Sequence, residues 1–312
     1  MDARLIYAGN AVVDIVLAVP ALPERGGDVL ATATEITPGG GFNVMAAAAR
    51  QGLRVAYAGA HGTGPFGDRV RAAMRDEGIA VLRPAKPGVD TGFAVSVVDA
   101  GGERTFLTSR GAEAALTLDD LAAVRPGPRD VVAVSGYGML HPSNREALSG
   151  WLPSLGDEVS VVVDPGPLVH LLGDDARGLL LARADWWTCN AREAASVTGE
   201  DDPAAAAAAL ARLTGRRGVL VRTGRDGCLL VRSGDVPLHV PGFAVRAVDT
   251  NGAGDAHTGV FVAALAAGAD PLEAARVANA GAALAVAARG PATAPRAADL
   301  ARFLAARPAA PS

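Results

Sequence analysis

The chain of 312 residues carries 29 basic and 33 acidic side chains, a formal net charge of −4, and half of it is hydrophobic. That length suits one large α/β domain or two smaller ones, and the hydrophobic content excludes disorder except over 307–312. Charges of both signs are interspersed without long runs, which argues against nucleic acid and against a membrane surface as partner.

Lys86 is the only lysine. Cys189 and Cys228 share no motif, which suits a reduced, cytoplasmic protein. The five histidines are scattered, with no metal-ligand spacing among them. Asp14 interrupts the first long apolar run, so no secretory signal is expected, and no apolar window is long enough to span a membrane.

In chain order, Arg4 to Ala8 reads as a buried strand closed by Gly9-Asn10, and Ala11 to Val19 as a second strand with Asp14 as its polar intruder. A carboxylate in such a run needs donors, which sugar hydroxyls or a neighbouring backbone turn could supply. Val29 to Ile36 is a third strand. Pro38-Gly39-Gly40-Gly41-Phe42-Asn43 then opens a helix to Arg50. Its glycines would let a ligand approach the backbone, and Asn43 offers both a donor and an acceptor; a plain helix-leading loop is the alternative. After a strand at Val55 to Ala58, Gly62 to Gly67 formally matches the dinucleotide fingerprint, with Asp90 about 20 residues on. The fingerprint belongs with the first strand of a βαβ unit, and here a full strand–helix unit precedes it, so an NAD-linked oxidoreductase is only a remote alternative.

Thr91 to Asp99 and Arg104 to Thr108 flank the turn Ala100-Gly101-Gly102-Glu103 as a hairpin. With 11–19 and 29–36 these give four antiparallel-type segments, expected to gather into one small sheet, a lid. Apolar residues occupy both parities: Val12, Val16, Phe93, Val95 and Val97 are expected on one face, Val13, Ile15, Leu17, Ala94 and Val98 on the other. Such a sheet exposes apolar surface and pairing edges, so a two-fold homodimer through 11–36 and 91–108 is expected.

From Val131 the chain alternates. Strands fit at 131–135, 159–163, 185–189 and 218–222, and helices near 143–153, 174–183, 191–199 and 203–213. This is a mostly parallel sheet flanked by helices, with ligands at its carboxyl edge. Asp164-Pro165-Gly166-Pro167 and Asn190-Ala191-Arg192-Glu193 leave strand ends at that edge. Asn190 with Glu193 reads either as a helix cap with an acid at its third position or as a holder of hydrated Mg²⁺. Gly224-Arg225-Asp226-Gly227 is a turn, and helices at 271–288 and 296–306 close the chain.

Between them lies Val248-Asp249-Thr250-Asn251-Gly252-Ala253-Gly254-Asp255-Ala256-His257, after a short strand at 241–245 and before a helix at 256–267. Backbone N–H groups at a helix N-terminus form an anion site. A carboxylate beside that site makes sense as a base for a hydroxyl, while the amides hold an arriving phosphoryl group; a Gly-rich turn with an Asp favoured by the macrodipole is the plain alternative. An anion site with an Asp, a Mg²⁺ pair and a polar Gly-rich loop near a lid are the parts phosphoryl transfer needs. Walker A and protein-kinase lysine motifs are excluded, because the only lysine precedes Pro87.

These motifs resemble those of the ribokinase-like (PfkB) carbohydrate kinases over nearly the whole chain. Asp249 to Asp255 is similar to the family's C-terminal signature, and Gly39-Gly40-Gly41-Phe42-Asn43 with Gly52 to its N-terminal one. Asn190 to Glu193 matches its N-x-x-E element, and Gly9-Asn10 with Asp14 its opening strand. The resemblance implies a Rossmann-like α/β core (1–10, 37–90 and 109–306) with a β-lid (11–36 and 91–108), and MgATP-dependent phosphorylation of a small sugar or sugar-like alcohol. Asp255 would be the base, with Gly252, Ala253 and Gly254 as the anion hole. Asp14, Gly39, Gly40, Gly41 and Asn43 would hold substrate; Asn190, Gly224, Gly227 and Asn279 would lie along ATP. Glu193 would order Mg²⁺ through water, and Asp249 with the Asn251 carbonyl matches the family's monovalent-cation (K⁺) position.

Three departures stand out. His257 replaces a usual aromatic residue, Gly27 a usual glutamate, and Gly136-Tyr137-Gly138 stands where ribose-specific members carry an acidic contact. Ribose is therefore not the expected substrate. A nucleoside kinase is the rival, but nucleosides want a stacking surface and only 4% of residues are aromatic.

Overall fold

The computed structural model describes residues 3–307. In chain order the strands are β1 (Arg4–Tyr7), β2 (Ala11–Ala18), β3 (Ala33–Gly40), β4 (Arg54–Tyr57), β5 (Ala80–Val81), β6 (Phe93–Val98) and β7 (Arg104–Ser109). Then follow β8 (Val131–Ser135), β9 (Ser160–Asp164), β10 (Trp186–Asn190), β11 (Gly218–Arg222), β12 (Gly227–Arg232) and β13 (Leu238–Pro241). Nine of them form one sheet in the order β13-β12-β11-β10-β9-β8-β1-β4-β5, and β3-β2-β6-β7 form a second. The large sheet is parallel except at β12, which runs antiparallel to both its neighbours.

Four adjacent strands explain both the layer and the site. β8, β9, β10 and β11 are each a short run, mostly apolar and buried, that ends on a half-buried polar residue: Ser135, Asp164, Asn190 and Arg222. Strands covered by helices on both faces need such continuous apolar runs. Each fully buried Val or Leu contributes roughly 1.5–3 kcal/mol relative to exposure. Register therefore cannot slip, and the polar ends line up along the carboxyl edge.

The helices are α1 (Gly41–Arg50), α2 (Pro65–Asp76), α3 (Leu118–Ala122), α4 (Gly136–Met139), α5 (Pro142–Trp151) and α6 (Asp174–Arg183). After them come α7 (Ala191–Thr198), α8 (Pro203–Thr214), α9 (Ala253–Ala266), α10 (Pro271–Val286) and α11 (Ala297–Ala305). Alternate strand residues divide between two cores. Ile6, Val132 and Val134 pack with α5, α6 and α8; Leu5, Tyr7, Val131 and Ala133 pack with α1, α9 and α10. At the α1–α9 crossing a Cβ on Gly259 would lie 2.4 Å from the Val44 carbonyl oxygen, so the glycine permits the close approach that sets Asn43 beside Asp255. Among the described residues no helix is long and apolar enough to cross a membrane. Cys189 and Cys228 are both buried and unpaired.

Four expectations are corrected. The third lid strand is Ala33–Gly40 rather than 29–36, because it pairs with the whole of β2 from Ala18 to Ala11. Leu30 lies outside it, 84% exposed. Gly39 and Gly40 thus belong to a strand, and Pro38 is tolerated because β3 is an edge. β2 and β6 pair in parallel, Val13 with Phe93. Val13, Ile15 and Leu17 therefore share a face with Phe93, Val95 and Val97, the reverse of the expected parity; an odd shift in pairing swaps faces. Finally, the strand before α9 ends at Pro241, and 242–252 form no strand.

Candidate active site

The N-terminus of α9 is the centre of the site. Its cap, Gly252, is left-handed (φ 73°), and a Cβ there would lie 1.9 Å from the Pro291 carbonyl oxygen, so only glycine fits. No side chain among the described residues caps this helix. The Ala253 N–H donates to the Thr250 carbonyl at 3.3 Å, while those of Gly254 and Asp255 belong to the first turn, where the helix offers no acceptor.

Asp255 stands at the third position of that turn. The Asn43 Nδ2 donates to its Oδ2 at 3.0 Å, joining residues 212 apart in sequence. Burial pushes the Asp255 carboxyl up to about 7; Asp164 and Asp14 add to the rise, and Asn43 and Arg222 oppose it. A carboxylate poised near neutrality suits a general base. Asn43 is itself buried, and its Oδ1 has no partner among the described residues. A buried acceptor left open costs ~1–3 kcal/mol, which a ligand hydroxyl would relieve.

Asp14 reaches in from the lid. A Cβ on Gly39 would lie 2.1 Å from its Oδ2, so that glycine makes room for the carboxylate. Burial pushes Asp14 up to about 6. Thr37, its register partner on β3, also has a buried hydroxyl without a partner among the described residues. Beneath this cradle lies Tyr7: a Cβ on Gly41 would sit 2.1 Å from the tyrosine ring. The Tyr7 hydroxyl bonds the Ser135 side chain, and burial holds its pKa well above the ordinary value, so it stays protonated. The Gly41 N–H donates to the Asn10 carbonyl, and Gly40 is left-handed (φ 59°) where β3 passes into α1.

On the other side, Asn190 and Glu193 form a reciprocal capping box: the Asn190 N–H donates to Glu193 Oε2 at 2.8 Å, and the Glu193 N–H to Asn190 Oδ1 at 2.9 Å. Arg222, at the end of β11, spans the floor. Its Nη1 donates to Thr188 Oγ1 (2.7 Å) and Thr258 Oγ1 (3.2 Å); its Nη2 lies 3.2 Å from Asp164 Oδ2 and 3.6 Å from Glu193 Oε2. A Cβ on Gly254 would be 3.4 Å from three atoms of the guanidinium, so the group packs flat against the first turn of α9. Burial and the Asp164 carboxylate raise the Glu193 pKa. Asp164, Glu193 and Asp255 all act on the Arg222 guanidinium, while among the described residues no group of three or more acidic, cysteine or histidine side chains is placed to hold a metal ion directly.

Several expected residues are engaged within the protein. Asn279 donates from Nδ2 to the Val240 and Pro241 carbonyls (2.9 and 3.1 Å), and its Oδ1 meets His257 Nε2 at 3.1 Å. His257 is buried and held neutral, its pKa lowered to about 3. Gly224 and Gly227 (φ 69° and 105°) shape the turn from β11 to β12. Asp249 pairs with Arg104 and accepts from the Asn251 and Gly290 N–H groups. In the fingerprint-like loop, Asp90 takes the N–H groups of Phe66 and Gly67 (3.0 and 2.7 Å). The Asp90 carboxylate, brought in from a distant loop, thus occupies the place at that helix start where an anion would bind.

Tyr7, Ser135 and Arg222 had escaped the sequence reading. Tyr7 hides in an apolar strand; the common signal for the other two is a polar residue closing a buried parallel strand, a pattern that also includes Asp164.

A profile of the pfkB family carbohydrate kinases matches residues 2–298. The chain belongs to that family. Its members are phosphotransferases with an alcohol group as acceptor. The uncharacterized sugar kinase YegV of Escherichia coli (strain K12) is 30% identical over 290 residues, covering 92% of this chain and 89% of that one. Ribokinase of Thermotoga maritima has the same fold, with a TM-score of 0.84 at 26% identity over 97% of this chain and 99% of that one. Arabidopsis thaliana ribokinase, solved with ribose and ATP, gives 0.79 at 25% identity over 97% and 99%.

Proposed function

We propose that this PfkB kinase transfers the γ-phosphate of MgATP to a hydroxyl of a small sugar or sugar-like alcohol, with Asp255 as base. The observation that carries this reading is Asp255, at about 7, hydrogen-bonded to Asn43 in the first turn of an uncapped helix. The substrate hydroxyl gives its proton to Asp255 as its oxygen forms a bond to the γ-phosphorus, and the bond from that phosphorus to the ADP oxygen breaks. Amides from Gly252 to Gly254 meet the phosphoryl oxygens, and the Arg222 guanidinium packed beneath them adds positive charge. Asp14, Gly39, Gly40, Gly41 and the open Oδ1 of Asn43 hold the sugar hydroxyls.

Asn190, Gly224 and Gly227 lie along the nucleotide, and Asn279 contributes there by fixing β13 through its two carbonyl bonds. Mg²⁺ would be held, through water, by Glu193 and Asp164, and supplies charge neutralisation on the phosphates. The surplus of carboxylates disfavours an acidic sugar, and Tyr137 supplies no carboxylate for ribose. Two copies pack lid to lid, covering Ile36 and Leu107, which share a face of the lid sheet and are 39% and 61% exposed. Buried, unpaired cysteines suit a cytoplasmic enzyme. The test is ATP turnover against a panel of neutral sugars, acidic sugars and nucleosides: a neutral sugar should be the best acceptor, and turnover of nucleosides alone would overturn the assignment.

A further inference from the structure

The segment leading into the anion hole is held from outside the α/β layer. Arg104, the first residue of the lid strand β7, places its Nη2 2.5 Å from Asp249 Oδ1. That oxygen also accepts from the Asn251 N–H at 2.9 Å, and Oδ2 accepts from the Gly290 N–H at 3.2 Å. The Val286 carbonyl, which faces the same segment, accepts from the Val248 and Asp249 N–H groups (2.7 and 3.1 Å). A monovalent cation at Asp249 needs oxygen atoms free to turn toward it. Here the Asp249 carboxylate and the neighbouring Val286 carbonyl already accept from the chain's own donors, and one of those donors is a guanidinium. K⁺ does not fit this arrangement, and a second positive charge beside Arg104 would be repelled.

The connection to catalysis is short. Asp249 precedes the cap Gly252 by three residues, and Gly252 is pressed against Pro291 in the same loop as Gly290. The other lid edge also reaches this loop: Glu35 Oε1 lies 3.8 Å from where a Cβ on Gly290 would sit. These contacts join β7 to the residues that precede and pack against the cap Gly252.

We propose that the Arg104 guanidinium takes the part of a monovalent cation at Asp249, making phosphotransfer by this chain indifferent to K⁺ and tying the anion-hole loop to the position of the lid. The proposal rests on the kinase reading above. Arg104 is a positioning residue, since it acts through Asp249 and the loop rather than on the phosphoryl group.

The experiment compares the full chain with Arg104→Met and Arg104→Lys in KCl and in tetramethylammonium chloride of equal ionic strength. The melting temperature is read without substrate, and kcat and KM with the best acceptor. Wild type and Arg104→Lys should melt and turn over alike in the two salts. Arg104→Met should lose about tenfold in kcat, an ordinary size for coupling between two sites, and should regain melting temperature and rate in KCl but not in the bulky cation. A wild-type melting temperature or rate that rises specifically with K⁺ would overturn the proposal. So would an Arg104→Met variant that matches wild type in both salts, or one that K⁺ fails to restore. If no acceptor is turned over, the kinase reading fails on its own, while the melting comparison still decides whether Arg104 fills the cation's place.

Discussion

A carboxylate held near neutrality should cost the fold stability, and Asp255→Asn exposes that cost. The substitution keeps side-chain volume and an oxygen that can accept the Asn43 bond, while removing the charge. The folded protein raises the Asp255 carboxyl from 3.8 to about 7. The folded state therefore binds this proton more tightly than the unfolded chain, and the charged form opposes folding. Stability is unaffected at low pH, falls as pH rises between these two values, and carries the whole penalty above about 7. At 1.36 kcal/mol per unit the full penalty is about 4 kcal/mol. The carboxylate keeps some contact with solvent, and screening leaves about 2 kcal/mol. With an m-value of about 3 kcal/mol/M, Asp255→Asn should raise the urea midpoint by about 0.7 M near pH 8. Near pH 4 the two proteins should unfold together. A variant no more stable than wild type near pH 8, or one with the same gain at both pH values, would show that burial does not load this carboxylate.

Three further outcomes follow from the geometry. Asp14→Ala should raise KM for the sugar by roughly 10- to 150-fold, the loss of a charged hydrogen-bond partner, with KM for ATP nearly unchanged; equal rises in both would mean that Asp14 only supports the lid strand. Glu193→Gln keeps an acceptor for the Asn190 N–H, so its melting temperature should hold while the Mg²⁺ needed for half-maximal rate rises several-fold; a loss of stability with unchanged Mg²⁺ dependence would reduce Glu193 to a cap. Light scattering should give a dimer at micromolar concentration that Leu107→Asp dissociates, and a monomeric wild type would sink the lid-to-lid assembly.

Much of the large sheet could be read directly, because a strand buried on both faces has few alternatives. Val131–Ser135 and Gly218–Arg222 run residue for residue as their apolar runs predict. The lid was less legible. Its strands face two ways, and nothing local says that β2 runs parallel to β6, so the parity of Phe93 and Ala94 could not be assigned from spacing alone. β3 begins at Ala33 because of its partner β2, not because of its own composition. At the site, motifs marked Asp255, Asn43 and Asp14, but not how the chain joins them. Arg222 reads as an ordinary charge at a strand end until Asp164, Glu193 and Gly254 close around it. Asn279 carried an expected nucleotide contact, and only tertiary structure shows its amide bonded to β13 and His257.

The most direct test of Asp255 as the base is the turnover of Asp255→Asn with the best sugar acceptor, measured beside its affinity for MgATP. Removing a general base while leaving the anion hole and the nucleotide contacts in place should lower kcat by at least ~10²-fold with ATP affinity retained. Turnover within a few-fold of wild type would contradict the account.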